Sequence, residues 1–155
     1  MRGRETVLVV IASTLLLGLS SYAKSLSDLT DQDHAAISAY LVELQAIQTS
    51  DPIVDPEAPE LQSRVKMPDR TKRTWPAYPP SLRRRQLQGR NILAGVVERD
   101  GKTSHIKVVV AASDPLFDQA SIAWAANLHY AGPLLLDGKP VRAYMYWLTT
   151  FEIQK

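Results

Sequence analysis

The chain has 155 residues, of which 45% are hydrophobic and 22% charged. That composition suits one modest globular domain with appendages and excludes a multi-span membrane protein or a wholly disordered chain. There is no cysteine, which removes disulfide frameworks, thiolate metal sites and cysteine nucleophiles together, and a net charge of +2 is too mild to argue for nucleic acid.

Charge and proline are unevenly placed. Residues 24–60 carry one lysine against eight carboxylates, residues 61–90 carry nine Lys/Arg against Asp69, and residues 91–155 carry six of each sign. Seven of the ten prolines fall between Pro52 and Pro80. The chain therefore divides into an N-terminal leader (1–23), an acidic segment (24–50), a proline-containing basic linker (51–77) and a balanced C-terminal domain (78–155).

In the leader, Arg2 and Arg4 precede an uncharged run from Thr6 to Ala23 with its apolar heart at Val7–Leu19. That heart has the length of a signal-peptide core and is short for a bilayer span, and Ser21-Tyr22-Ala23 offers small residues for cleavage before Lys24. Cleavage is favoured over an uncleaved anchor; both send residues 24–155 across a membrane. Next, Ile37, Tyr40, Leu41, Leu44 and Ile47 recur at helical spacing, Thr30 with Asp33 supplies a start signal and Pro52 bars continuation. This predicts an amphipathic helix at about 31–48, packing on the domain or docking a partner. The spaced prolines from Asp51 to Pro80 predict an extended tether.

In the C-terminal domain, Ser81–Gln88 reads as a short helix with proline before it and Gly89 past its end. Ile92–Glu98 and His105–Ala112 read as strands joined at Asp100-Gly101, a signal for a two-residue type I′ hairpin. Asp114-Pro115 opens a second helix with Phe117, Ala120, Trp124 and Leu128 on its apolar stripe. After a turn at Asp137–Pro140 comes a strand of clear alternation. Val141, Ala143, Met145, Trp147, Phe151 and Ile153 share one face, interrupted by Thr149; Arg142, Tyr144, Tyr146, Leu148, Thr150 and Glu152 share the other. The expected fold is α+β: a small three-stranded antiparallel sheet with two helices on one face, preceded by the amphipathic helix and the linker.

No catalytic constellation emerges. Gly101-Lys102-Thr103 sits on a hairpin, where no helix N-terminus could receive phosphate, and Ser104 and Lys107 of a Ser-x-x-Lys match point to opposite faces of a strand. His34, His105 and His129 lie in three different elements, so no metal or other cofactor is expected. Arg70, Lys72, Arg73, Arg83, Arg84 and Arg85 surround Trp75 and Tyr78. In an exported protein such a patch points to anionic envelope partners, peptidoglycan included, or to the chain's own acidic half, and away from nucleic acid.

One frame of residues is recognisable: Tyr78-Pro79, Gly89, Asp100-Gly101, Val108–Val110, Ser113, Phe117-Asp118 with Ala120 and Trp124, Tyr130, Pro133, Gly138-Lys139-Pro140-Val141 and Phe151-Glu152-Ile153. In order and spacing this resembles the C-terminal domain of the TonB family of energy transducers, over about residues 78–153. The resemblance implies a non-enzymatic periplasmic module that couples an inner-membrane motor to outer-membrane transporters by gripping a transporter peptide as an added strand. On that carry-over the last strand is the docking edge, and Val141, Arg142, Tyr144, Tyr146, Leu148, Thr150 and Glu152 are the partner-binding residues. A non-transducing envelope adaptor is the alternative, and a homodimer stays open. The sequence departs from the family at Asn91 and Gly95, where apolar residues are usual, so the first strand is expected to be weaker or bulged.

Overall fold

The computed structural model describes residues 5–11, 29–47, 50–68 and 74–153. In chain order the strands are β1 (Glu5–Ile11), β2 (Ile53–Val54), β3 (Val65–Lys66), β4 (Gly89–Val97), β5 (Thr103–Val110), β6 (Leu134–Leu136) and β7 (Lys139–Ile153). The helices are α1 (Asp31–Ile47), α2 (Pro80–Arg84) and α3 (Pro115–Ala125). No helix among the described residues is long and apolar enough to cross a membrane.

The predicted three-stranded sheet is the centre of a larger one. The seven strands lie in the order β3-β6-β7-β4-β5, with β1 and β2 also on β7. β4 and β7 pair antiparallel from Gly89↔Phe151 to Val97↔Ala143, and β5 lies on the far side of β4. The four extra strands are legible only in three dimensions, because those of two or three residues carry no periodicity of their own.

Of the two readings of the amphipathic helix, the structure shows packing on the domain. α2 and α3 cover one face of the sheet, as expected, but α1 covers the other. Ile37, Tyr40 and Leu44 of α1 are buried in one cluster with Ile53, Ile92, Ala94, Val96, Tyr144, Tyr146 and Leu148. On the opposite face Met145 and Trp147 pack with Trp124, Ala125 and Leu128. Phe151 lies with Tyr78, Leu82 and Phe117. Every residue from Asn91 to Val97 is therefore buried, which is why that strand reads as a continuous apolar run.

α1 begins where its capping residues place it. The Thr30 amide donates to Asp33 Oδ2 at 2.9 Å and the Asp33 amide donates to Thr30 Oγ1 at 3.2 Å, the reciprocal pairing that satisfies free amides at a helix start. Four contacts then fix the helix to the sheet. Tyr40 Oη donates to the His105 carbonyl at 2.7 Å and Tyr144 Oη to the Ile37 carbonyl at 2.7 Å. Arg90 pairs with Asp33 at 2.6 Å and Lys107 with Glu43 at 2.8 Å.

The linker is no free tether over residues 51–68. β2 pairs parallel with β7 at Arg142 and Ala143, and β3 pairs with β6. Ile53 and Val65 are buried, and their burial outweighs the extended bias of the neighbouring prolines, at about 1.5–3 kcal/mol for each aliphatic side chain.

Turn chemistry also sorts itself differently. At Asp100-Gly101 only Gly101 has positive φ, and the Glu98 amide donates to the Lys102 carbonyl at 2.8 Å. That is a three-residue loop with glycine in the left-handed position. The type I′ geometry instead occurs at Asp137-Gly138, φ 51° and 78°, joining β6 to β7. α2 ends before Gln86, which itself takes φ 56°. Gly89 therefore opens β4, and a Cβ there would lie 2.4 Å from the Phe117 ring.

Candidate functional site: the outer edge of strand β7

β7 has two edges. One is paired with β4 along Ala143–Phe151. The other is divided: β6 takes Lys139–Val141, β2 takes Arg142 and Ala143, and β1 pairs antiparallel from Trp147↔Ile11 to Ile153↔Glu5. Residues 147–153 are thus the long stretch of the outer edge, and the strand they receive is β1. A row of backbone donors and acceptors at such an edge can take any extended chain of matching length.

The expected partner-binding side chains are not brought together at this edge. Val141 and Arg142 lie where β6 and β2 already pair. Tyr144, Tyr146 and Leu148 are buried beneath α1, which accounts for an aromatic face richer than solvation alone would require. Thr150 is half-buried and Glu152 exposed, and both sit within the stretch facing β1. In the basic set, Arg70, Lys72 and Arg73 lie outside the described residues. Arg83, Arg84 and Arg85 project exposed from the end of α2.

Arg142 has a structural task. It forms a two-pronged pair with Glu98, Nε–Oε2 at 2.7 Å and Nη2–Oε1 at 2.9 Å, and donates to the Asp51 carbonyl at 3.1 Å. The Arg142 hydrogen bond is the main reason the Glu98 carboxyl sits below its ordinary pKa; burial opposes this and Ser104 adds to it. Arg99 grips the Asp51 carboxylate at 2.7 and 2.9 Å. The acidic N-terminal half thus pairs with Arg90, Arg99, Lys107 and Arg142. All but Arg90 lie outside the basic stretch singled out in the sequence.

Sequence reasoning missed Asp55 and Glu57. With His34, Ile37, Ser38, Leu41, Tyr144 and Tyr146 they line a cavity of about 70 Å³ between α1 and β7. Burial, reinforced by the Asp55 charge and opposed by a long hydrogen bond from Tyr146, pushes the Glu57 carboxyl up to about 7. A contact between residues 89 positions apart leaves no signal in local periodicity.

The frame residues hold the domain together. Tyr78, Phe117 and Phe151 form an aromatic triad with centroids 4.6–5.7 Å apart, and Tyr78 Oη donates to the Leu87 carbonyl. Trp147 Nε1 donates to Tyr130 Oη at 3.1 Å. A Cβ on Gly101 would lie 2.5 Å from the Tyr130 carbonyl oxygen.

No curated protein matches the sequence. The solution NMR structure of the Pseudomonas aeruginosa TonB C-terminal domain is similar at 18% identity and a TM-score of 0.47, covering 66% of this chain and 96% of that one. The family model described as Gram-negative bacterial TonB protein C-terminal matches residues 74–153, which contain Tyr78, Gly89, Gly101, Phe117, Tyr130 and Phe151, and on that match the chain belongs to the TonB C-terminal family.

Proposed function

We propose that this protein is an exported, envelope-resident binding module that accepts an extended peptide of an outer-membrane transporter as an added strand on β7. The observation that carries the reading is the outer edge at Trp147–Ile153, which β2, β4 and β6 do not cover and which takes a seven-residue antiparallel strand. Backbone pairing supplies affinity there, and the side chains at the edge select the guest. Because Tyr144, Tyr146 and Leu148 are under α1, selection falls to Thr150 and Glu152. Titration of the protein purified from the envelope fraction with N-terminal transporter peptides tests this: saturable binding that shifts the amide signals of residues 147–153 is expected, and no binding across a broad panel at low salt refutes it.

A non-transducing adaptor role has its own support, the three exposed arginines closing α2. Retention on purified peptidoglycan that vanishes when Arg83, Arg84 and Arg85 become glutamate would favour it.

A further inference from the structure

β1 lies within the segment whose sequence reads as a removable leader, yet it pairs over all seven residues with the edge proposed as the docking site. Its named strand partner is β7 alone. The β7 ladder to β4 runs on the opposite edge, so removing β1 leaves that pairing intact. With β1 in place β7 is paired on both edges throughout residues 147–151; without it, those residues present unpaired backbone groups, the open template that invites a foreign strand. The family match, residues 74–153, excludes β1, so the occupant is supplied by a part of the chain outside the matched domain.

From this placement we propose that residues 5–11 are a built-in occupant of the docking edge, excluding guest strands while the N-terminal segment is attached and exposing the edge when that segment is removed. The inference rests on the strand-addition reading above and adds to it an order of events: export processing first, guest capture second. It also gives the segment a protective role, since the newly made chain then carries no bare seven-residue edge for aggregation. A tethered strand competes as an intramolecular ligand. At an effective concentration of roughly 1 mM against an intrinsic Kd of about 100 µM for one short strand, it weakens a free guest about tenfold.

The test uses the full chain made by cell-free synthesis, so that residues 1–23 remain attached, beside the same chain carrying Leu8→Pro and Val9→Pro. Adjacent positions alternate in which edge their amides face, so the double proline removes a ladder hydrogen bond whichever register parity holds. The probe is a labelled synthetic peptide of residues 5–11, with its scrambled version as control, and amide exchange of residues 147–153 is followed in both chains. Expected are about tenfold tighter peptide binding by the proline variant and faster exchange of the β7 amides that face away from β4. Equal affinity of both chains for the peptide, or equal exchange, overturns the proposal; unchanged far-ultraviolet circular dichroism shows that the variant is folded.

Transporter peptides form a separate arm. If they bind both chains equally, the built-in occupant is refuted while strand addition stands. If the 5–11 peptide prefers the variant but no transporter peptide binds either chain, the occupant stands and the transporter reading falls. Failure of every peptide on both folded chains refutes both.

Discussion

Asn91, Ser121 and Thr149 are fully buried polar residues in an otherwise apolar interface between the sheet and α3, and each is satisfied by the others. Asn91 Nδ2 donates to Asp118 Oδ1 at 2.7 Å, Thr149 Oγ1 donates to Asn91 Oδ1, and Ser121 Oγ lies 2.9 Å from Thr149 Oγ1. Since Thr149 has one proton and gives it to Asn91, Ser121 is the donor in the last bond. An apolar residue at 91 would leave Thr149 and Asp118 short of partners, so the departure from an apolar strand and the break in the β7 stripe explain each other. Asn91→Ala should cost about 2–3 kcal/mol in urea unfolding, and combining it with Thr149→Val should cost less than the sum of the two.

Gly95 is fixed by backbone rather than by packing. A Cβ there would lie 2.8 Å from the Ser104 carbonyl oxygen, where β5 bulges opposite β4 and His105 takes φ 51°. The first strand, expected to be weaker or bulged, is instead regular and buried, and the extra residue lies on β5 opposite it; Gly95→Ala should lower stability by roughly 1–3 kcal/mol because a strand backbone must move. Glu57 makes a pH prediction. Its carboxyl is raised from 4.5 to about 7, so the folded state binds the extra proton between these values and stability falls as pH rises through them. Glu57→Gln should flatten the stability profile between pH 5 and 8 and add about 1–2 kcal/mol at pH 8, after allowance for solvent screening of a half-buried group. Asp33 acts in the opposite sense. Burial raises its pKa, but the Thr30 amide and Arg90 outweigh that and lower it, so its contribution is present at neutral pH and lost as pH falls below the normal aspartate range.

At the scale of elements, α1 is the piece whose meaning changes most. Read alone, one apolar stripe says nothing about what covers it. In the fold Ile37, Tyr40 and Leu44 of that stripe close the second face of the sheet while Ile47 stays exposed, and the capping pair and four cross-contacts place the helix there. Helix and sheet should therefore unfold together: helicity followed by circular dichroism and the surroundings of Trp147 followed by fluorescence should give coincident transitions. Ile37→Ala and Leu44→Ala should each cost about 2–4 kcal/mol, as buried residues whose removal leaves a void. An early, separate loss of helix signal would show α1 to be an independent arm.

For the molecule as a whole, opposite charges in sequence become seams in space. Asp33 and Glu43 meet Arg90 of β4 and Lys107 of β5, Asp51 meets Arg99 in the loop between those strands, and Arg64 meets Asp137. The exposed pairs position the segments and weaken with salt. Arg142 is different, because its side chain is only 7% exposed and it ties Glu98 to the Asp51 backbone. Arg142→Met should destabilise the protein by about 2–3 kcal/mol, leaving a partly buried carboxylate without its partner; thermal unfolding at constant ionic strength measures it.

Periodicity and turn chemistry alone determined α1, α3 and the alternating strand β7, and the order of the frame residues determined the family, because each rests on spacing within a short stretch of chain. The capping pair at Thr30 and Asp33 and the proline start of α3 were legible for the same reason. Only the tertiary structure decided which surface α1 covers, that residues 51–68 join the sheet, that the β7 tyrosines are core, and that β1 takes the outer edge at residues 147–153. Those outcomes depend on contacts such as Glu57 with Tyr146 and Ile11 with Trp147, whose partners lie far apart in the chain, and long-range pairing is set by the competition of whole surfaces for burial rather than by any local pattern.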